Sequence, residues 1–275
     1  MTYYTPALIS LDYARQHRRL ATAETDDDAL LLTFIQESSA ELIAALQRVP
    51  MPYIAAKSFG REYIYGDQLR LRDDLLAVTT VTNGDDSTVD SSLYFFHPAN
   101  GYPKSRLQVT GISGTYWDCP YPEDRIQITG TWGYVPHYGA GEWKQVTTLA
   151  EALDSGETAV DVTSATNVSA GDFIKVGTHV MYVSSKSTNT LTVETAQLGT
   201  TAAAHDNATA VYTYQQLPDI KAAVREMVTY RYLTKDQIGA QVQVFDGGTV
   251  QVQSLDPSVQ RTIDRHKRKM MPLAV

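Results

Sequence analysis

The feature that most constrains the fold is a change in hydrophobic spacing along the chain. Apolar residues recur first every three or four positions, then in short alternating runs, and after Leu217 every three or four positions again. The first spacing is typical of an amphipathic helix and the second of a half-buried strand. The sequence therefore predicts an α+β fold, with a helical core around a long β-rich middle.

The first strong helix is predicted over residues 26–49. Thr25 and the acidic run at 26–28 are expected to supply an N-cap and negative charge at the positive end of the helix dipole. Pro50 is expected to end the helix. The apolar stripe of this helix includes Leu31, Phe34, Leu42 and Leu46.

Helical spacing returns in two later stretches. A helix over residues 218–235 is predicted to begin at Pro218, since proline is favoured in a first turn. Its apolar stripe includes Ile220, Val224, Met227 and Val228. A last helix is expected to begin at Asp256-Pro257 and to carry a series of basic residues.

Two β regions of different composition lie between the helices. Residues 59–135 predict a small antiparallel sheet, with strands near 92–96, 106–110 and 125–131 and a tight hairpin at Asn83-Gly84. Residues 139–214 are rich in Thr, Ser, Ala and Val, and predict four short strands in a small barrel or sandwich. A further hairpin is predicted at Gly247-Gly248, after the second helix.

Composition limits the classes of protein to which this chain can belong. With 275 residues, 43% of them hydrophobic, it can form one large or two modest domains. The single cysteine, Cys119, suits a reducing cytoplasm. The net charge of −8 disfavours tight, sequence-independent binding to nucleic acid. We expect no signal peptide and no stretch of about 20 apolar residues that would cross a bilayer.

The sequence does not predict an enzyme. It has no phosphate-binding loop, zinc motif or nucleophile elbow, and no cofactor or metal is expected. Its six histidines are scattered, and each is interpreted as a surface or turn residue. The acid pairs Asp85-Asp86 and Glu123-Asp124 are interpreted as solvated turns. A hydrolase that uses such acids is the weakest of three hypotheses.

Three stretches, taken in order, resemble the head-tail connector family of tailed double-stranded DNA bacteriophages, whose members are adaptor or head-completion proteins. They are DDDALLLTFIQESSAELIAALQR, PEDRIQITGTWGYVP and LPDIKAAVREMVTYRYL. In simple members of the family the second and third stretches are joined by a short connection. Here residues 139–214 intervene, and they themselves resemble a small β module of phage virion proteins. The resemblance thus implies a discontinuous core at 1–138 and 215–275 with an inserted β-rich domain at 139–214.

The resemblance implies a structural role in the virion, at the head-tail interface, after assembly in the host cytoplasm. Subunits would form a homo-oligomeric ring, about twelvefold in this family, docked on the portal protein. The ring would pass double-stranded DNA through its channel without specific binding. A downstream tail or stopper (nozzle) protein would follow it, and no membrane would be involved.

The resemblance also assigns residues to these contacts. The basic C-terminal stretch would be a docking arm for the portal, with Arg261, Arg265, Lys267, Arg268 and Lys269 as its contacts. The two helical stripes would pack within and between subunits through Leu31, Phe34, Leu42, Leu46, Ile220, Val224, Met227 and Val228.

One other function stays open on the sequence alone, a carbohydrate- or receptor-binding β module of a phage tail protein. Aromatic residues cluster around the β regions, and Trp117, Trp132, Tyr134 and Trp143 could stack on sugar rings. Packing in a core or an interface is the commoner use of such side chains.

Overall fold

The structure is a computed structural model that describes residues 6–18, 25–111, 114–119, 121, 125–235 and 256–268. These residues form helices and two antiparallel sheets, which confirms the predicted α+β class. The helices are α1 (Leu11–Arg18), α2 (Asp28–Leu46), α3 (Pro218–Thr234) and α4 (Pro257–His266).

Sheet 1 is built from residues 53–132. Its strands are β1 (Tyr53–Phe59), β2 (Ile64–Tyr65), β3 (Gln68–Thr82), β4 (Tyr94–His97), β5 (Lys104–Val109) and β6 (Ile126–Trp132). The order is β1-β6-β3-β5-β4, with β2 beside β3. One face is apolar and packs around Phe59, Leu107 and Trp132, which are at most 2% exposed.

Sheet 2 is built from residues 143–214. Its strands are β7 (Trp143–Thr148), β8 (Ala159–Asp161), β9 (Phe173–Val176), β10 (His179–Ser187), β11 (Thr190–Glu194) and β12 (Ala210–Tyr214). The order is β7-β12-β9-β10-β11-β8, and the two outer strands meet through a bridge between Leu149 and Val162. The sheet therefore closes into the small barrel that the sequence offered as one of two forms, and β8–β11 are its four predicted strands.

A third core joins the helices to the barrel. Ile35 and Leu42 of α2, Ile220 and Val224 of α3 and Ile263 of α4 are buried in one cluster. The outer surface of the barrel contributes further members to that cluster, namely Ala170, Phe173, Val180, Tyr182 and Leu198. The barrel is thus packed against the helical core.

Backbone contacts fix the barrel to the N-terminal segment. The Leu11 amide donates to the carbonyl of Ala170 at 2.8 Å, and the Asp12 amide donates to Ser169 Oγ at 3.1 Å. A short 3₁₀ turn (Gln197–Gly199) lies against β1, where a Cβ on Gly199 would stand 2.1 Å from the Ile54 carbonyl oxygen. The barrel therefore covers part of an edge strand of sheet 1, which would otherwise be open to pairing.

The predicted helices are confirmed in position but not in every detail. Helix α2 ends at Leu46, three residues before the predicted end, and Gln47 follows in the left-handed conformation. The capping prediction is wrong for Asp27, whose side chain makes no cap. Its carboxylate instead accepts from Lys235 at 2.8 Å and from the Tyr232 hydroxyl, because the end of α3 lies beside the start of α2.

The Asn83-Gly84 turn also differs from the tight hairpin that was predicted. The Asn83 amide donates to the carbonyl of Ser87, and Asp86 takes the left-handed conformation with φ 64°. The loop is longer because the Asn83 side chain bonds to another segment, donating to the Tyr116 carbonyl and accepting from the Asp118 amide. The Gly247-Gly248 hairpin and Glu123-Asp124 lie outside the described residues.

Helix α2 is one helix among the described residues that is long and apolar enough to cross a membrane by length and composition. This differs from the expectation that no stretch would approach that length. The core helix of a folded domain passes the same test, and α2 packs against the other three helices. Its Glu37 and Glu41 form ion pairs with Arg231 of α3.

The domain boundaries stay a prediction. The strands of the barrel all fall within 139–214, and their interior is a separate apolar cluster around Ile174, Met181 and Leu191. The clusters of the helical core and of sheet 1 share no residue with it. Independent folding of 139–214 would establish it as an inserted domain.

We expect Gly84→Ala to destabilise the protein by about 1–3 kcal/mol, since overpacking costs this much. A Cβ at this position would lie 2.2 Å from the backbone oxygen of Asp118. Gly156→Ala is the matched control, because no atom lies within 4 Å of its added Cβ. Chemical denaturation measures both, and equal unfolding free energies would contradict the close approach.

Asp172 directly precedes β9, in a turn of the barrel that lies against the N-terminal segment (residues 6–18). Burial raises the pKa of its carboxyl to about 6, although the Ser169 amide donates to it at 2.8 Å. Because the pKa is raised, the carboxyl of Asp172 holds its proton more tightly in the folded state than in the unfolded state. The stability that this difference contributes is present below pH 4 and is lost as pH rises through about 6.

We therefore expect Asp172→Asn to raise the free energy of unfolding at neutral pH, by up to about 3 kcal/mol. The substitution should also flatten its dependence on pH between about 4 and 6. Asp206→Asn, at an exposed site on the barrel, is the control. Chemical denaturation at several pH values in this range measures the free energy of unfolding of each variant. If Asp172→Asn were less stable than the wild type at neutral pH, the charged carboxylate would be favourable and the prediction would fail.

Candidate docking surface at the C-terminal helix

Helix α4 is held on the helical core by one apolar side. The Asp256 carboxylate accepts from the Ser258 amide at 2.7 Å and caps its first turn. Val259 and Ile263 are buried against α2 and α3, while Thr262 and His266 complete the buried side. The opposite side faces solvent and carries the basic residues.

His266 fixes the end of α4 to two other elements. Its Nε2 lies 2.5 Å from an Asp219 carboxylate oxygen in α3, and its Nδ1 lies 3.1 Å from the Tyr134 hydroxyl after β6. Burial would raise the pKa of Asp219, but the hydrogen bond and charge of His266 outweigh it and lower that pKa below its usual value. The prediction that His266 is a surface or turn residue is therefore wrong.

The same prediction is wrong for His179 in the barrel. This residue is 1% exposed, and its Nε2 accepts from the Ala196 amide at 3.2 Å. Burial and the neighbouring His205 ring, stacked at 6.0 Å, lower the pKa of His179. Its role is to hold the turn that precedes Gln197–Gly199.

A buried carboxylate anchors the chain just beyond α4. Asp74 of β3 is 7% exposed. Its carboxylate lies 3.3 Å from the guanidinium of Arg48, just past the end of α2, and 3.9 Å from the guanidinium of Arg268. Burial raises the pKa of Asp74, and the two guanidinium groups partly offset that effect. Arg268 also donates to the carbonyl of Leu71 at 3.3 Å, and its amide donates to the carbonyl of Leu46.

The structure separates the predicted docking residues into two groups. Arg261, Arg265 and Lys267 are exposed, and Arg265 keeps 70% of its side chain in solvent while pairing with Asp219 at 3.3 Å. Arg268 is turned inward as an anchor, and Lys269 lies outside the described residues. Docking of this surface on a portal stays a prediction.

The residues predicted to pack between subunits lie in the core of one subunit. Leu31, Leu42, Leu46, Ile220, Val224, Met227 and Val228 are at most 6% exposed, and Phe34 is half-buried. Their contacts in the structure are within the chain, and packing between subunits stays a prediction. The large apolar residues that α3 does expose are Tyr230 and Leu233, at 60% and 58%.

The sequence did not single out Asp219 and His266 as partners. Asp219 was interpreted only as an acid in a first helical turn. A signal for His266 was present, because it follows Val259 and Ile263 at helical spacing and so falls on the same side of α4. No signal along the chain pointed to Tyr134 as the third member, since that contact depends on how the sheet and helices pack.

The aromatic residues offered for sugar binding form no open platform. Trp117 and Trp132 are 6% and 0% exposed, and each indole nitrogen donates to a backbone carbonyl. Tyr134 lies under Arg48 at 4.4 Å, and Trp143 is half-buried between Tyr214 and Lys175. Packing in a core, which the sequence favoured for these side chains, is therefore confirmed for Trp117 and Trp132.

The described residues hold no group of three or more side chains suited to a metal ion. A cavity of about 30 Å³ between the N-terminal segment and the barrel, lined in part by Asp172 and Lys221, has room for about one water molecule.

Comparison with solved structures gives a distant likeness. No family model and no curated protein matches the chain. Among solved structures, it is similar to a chain of the neck of an empty GTA particle computed with C6 symmetry, with 18% identity and a TM-score of 0.33. The similarity covers 49% of this chain and 69% of that chain.

We expect Arg268→Ala to release the end of α4, because it leaves the buried Asp74 with one cation fewer. The loss of stability should be below the value of about 3–5 kcal/mol for a fully broken buried pair, because Arg48 stays 3.3 Å from Asp74. Lys267→Ala, at the exposed neighbour, should change stability by less than about 0.5 kcal/mol. Hydrogen exchange of the α4 amides measures the release, and equal protection in both variants would contradict the anchor.

Proposed function

We propose that this protein is a structural component of a bacteriophage particle, a head-tail adaptor that forms a ring below the portal. The observation that carries the proposal is the meeting of three connector-like stretches in one unit. They are far apart in sequence, and the second and third are separated by the whole barrel. In the fold the first stretch contacts the second, where the Arg48 guanidinium lies 4.4 Å from the centre of the Tyr134 ring, and it contacts the third along α2 and α3.

The contacts among the three stretches are specific. Tyr134, which follows the ITGTW strand β6, donates its amide to the Val49 carbonyl at 2.7 Å, just past the end of α2. Helix α3, the third stretch, packs along α2 and places Asp219 beside His266. The chain leaves the barrel close to the end of α2, where the Gln216 side-chain amide donates to the Pro50 carbonyl at 2.8 Å. The barrel therefore does not separate the parts of this unit.

The exposed side of α4 is the surface we assign to the portal. Arg261, Arg265 and Lys267 form a basic edge on a chain whose net charge is −8. Such an edge favours an acidic surface on the partner and speeds the encounter with it. Arg268 holds the base of this edge in place, so the three side chains start from a fixed backbone.

Ring formation needs a contact that repeats from one subunit to the next and closes. The apolar stripes of α2 and α3 are buried in the core of the subunit. We therefore assign the ring contact to the outer sides of these two helices. Tyr230 and Leu233 of α3 are large apolar side chains exposed there. The acidic balance of the chain suits a channel in which DNA phosphates do not stick.

The proposal predicts that Arg261→Glu combined with Arg265→Glu weakens binding to the portal by about tenfold or more, because two favourable charges become repulsive. Lys144→Glu, an exposed change on the barrel, is the control with the same kind of charge reversal. Co-sedimentation with purified portal rings from the same phage measures binding. A wild-type protein that fails to bind these portals would contradict the proposed function itself.

A further inference from the structure

The outer face of sheet 1 carries a row of basic side chains in register. Arg70 of β3 pairs with Arg106 of β5, and Arg106 pairs with His97 of β4. The three side chains point to the same face, because neighbours in register share a side of the sheet. We call these three residues the arginine row.

The arginine row is unusual because it places like charges side by side. Side chains directly opposite on neighbouring strands are about 5 Å apart at Cβ, and like charges at this distance are destabilising. Neither arginine forms an ion pair within the described part of the chain. The Nε atoms of both are buried and have no hydrogen-bond partner there.

Both arginines are nevertheless held in place. The Arg70 guanidinium lies 3.9 Å from the centre of the Tyr65 ring, and Arg106 donates to Gln68 at 3.0 Å. These contacts orient the guanidinium groups without neutralising them. Among the described residues, these two adjacent and positioned cations therefore have no ion-pair partner.

A second row beside the first completes the face. Gln68 pairs with Gln108, which pairs with Phe95, and Phe95 is 41% exposed. Gln108 already binds one carboxylate, since its amide donates to Asp67 at 2.5 Å. The face thus combines amide donors, an exposed ring and guanidinium groups, which suits carboxylates flanked by apolar side chains.

We propose that this face binds an acidic, extended segment of a partner protein. The edge of the sheet supports a polypeptide: β4 pairs with β5 on one side, and no described strand lies on its other side. A peptide can add to such an edge through its backbone, and its alternate side chains then continue the arginine row beyond His97, the member of the row that is nearest this edge.

Nucleic acid is a poorer fit to the same face. Its affinity comes from neutralising many phosphates with Lys and Arg. Here the row offers two arginines, on a chain of net charge −8. The proposal does not depend on the head-tail function, because it rests on the register of sheet 1 alone.

The test uses a labelled synthetic peptide of alternating glutamate and valine, with fluorescence anisotropy as the readout on the full chain. We expect binding that weakens with salt and falls about tenfold or more in Arg106→Gln. Arg70→Gln is a second variant of the row. Lys144→Gln removes one exposed charge on the barrel, away from sheet 1, and is the control that should bind like the wild type.

Several outcomes would overturn the proposal. They are no binding of the peptide, equal binding in Arg106→Gln and the wild type, and equal binding of a peptide with glutamine in place of glutamate. Single-stranded DNA that binds more tightly than the peptide, and is lost in Arg106→Gln, would replace the acidic segment with a nucleic acid. Circular dichroism of each variant separates loss of the site from loss of the fold.

Discussion

The buried side of α2 is the surface on which the other parts of the structure are assembled. Ile35 and Leu42 have no exposure, and the cluster around them takes residues from all four helices and from the outside of the barrel. Because apolar burial is the main favourable term in folding, loss of this surface would separate the barrel from the helices. The polar contacts at its ends then fix the direction of each element.

Two acids, one buried and one half-buried, fix the positions of the elements near α4. Asp74 ties the end of α2 to β3 and to Arg268, and Asp219 ties α3 to α4 through His266. A charge removed from water needs partners, and these partners come from segments far apart in sequence. The basic edge of α4 therefore starts from a fixed backbone, which would lower the entropy cost of docking.

Local signals in the sequence predicted the elements well. Pro218 begins α3 and Asp256-Pro257 begins α4 as expected, because a first-turn proline acts within a few residues. Tertiary contacts decided what such local signals do not carry. Asp27 binds α3 and does not cap its own helix. The row of Arg70, Arg106 and His97 depends on strand register, which no pattern along the chain specified.

We propose that this protein forms a ring at the head-tail junction of a phage particle. Electron microscopy of portal-containing particles, with this chain located by its barrel, tests this role. We expect rotationally symmetric density for the chain directly below the portal, with the basic side of α4 towards it. Density for the chain only at the tail tip would rule out the adaptor role.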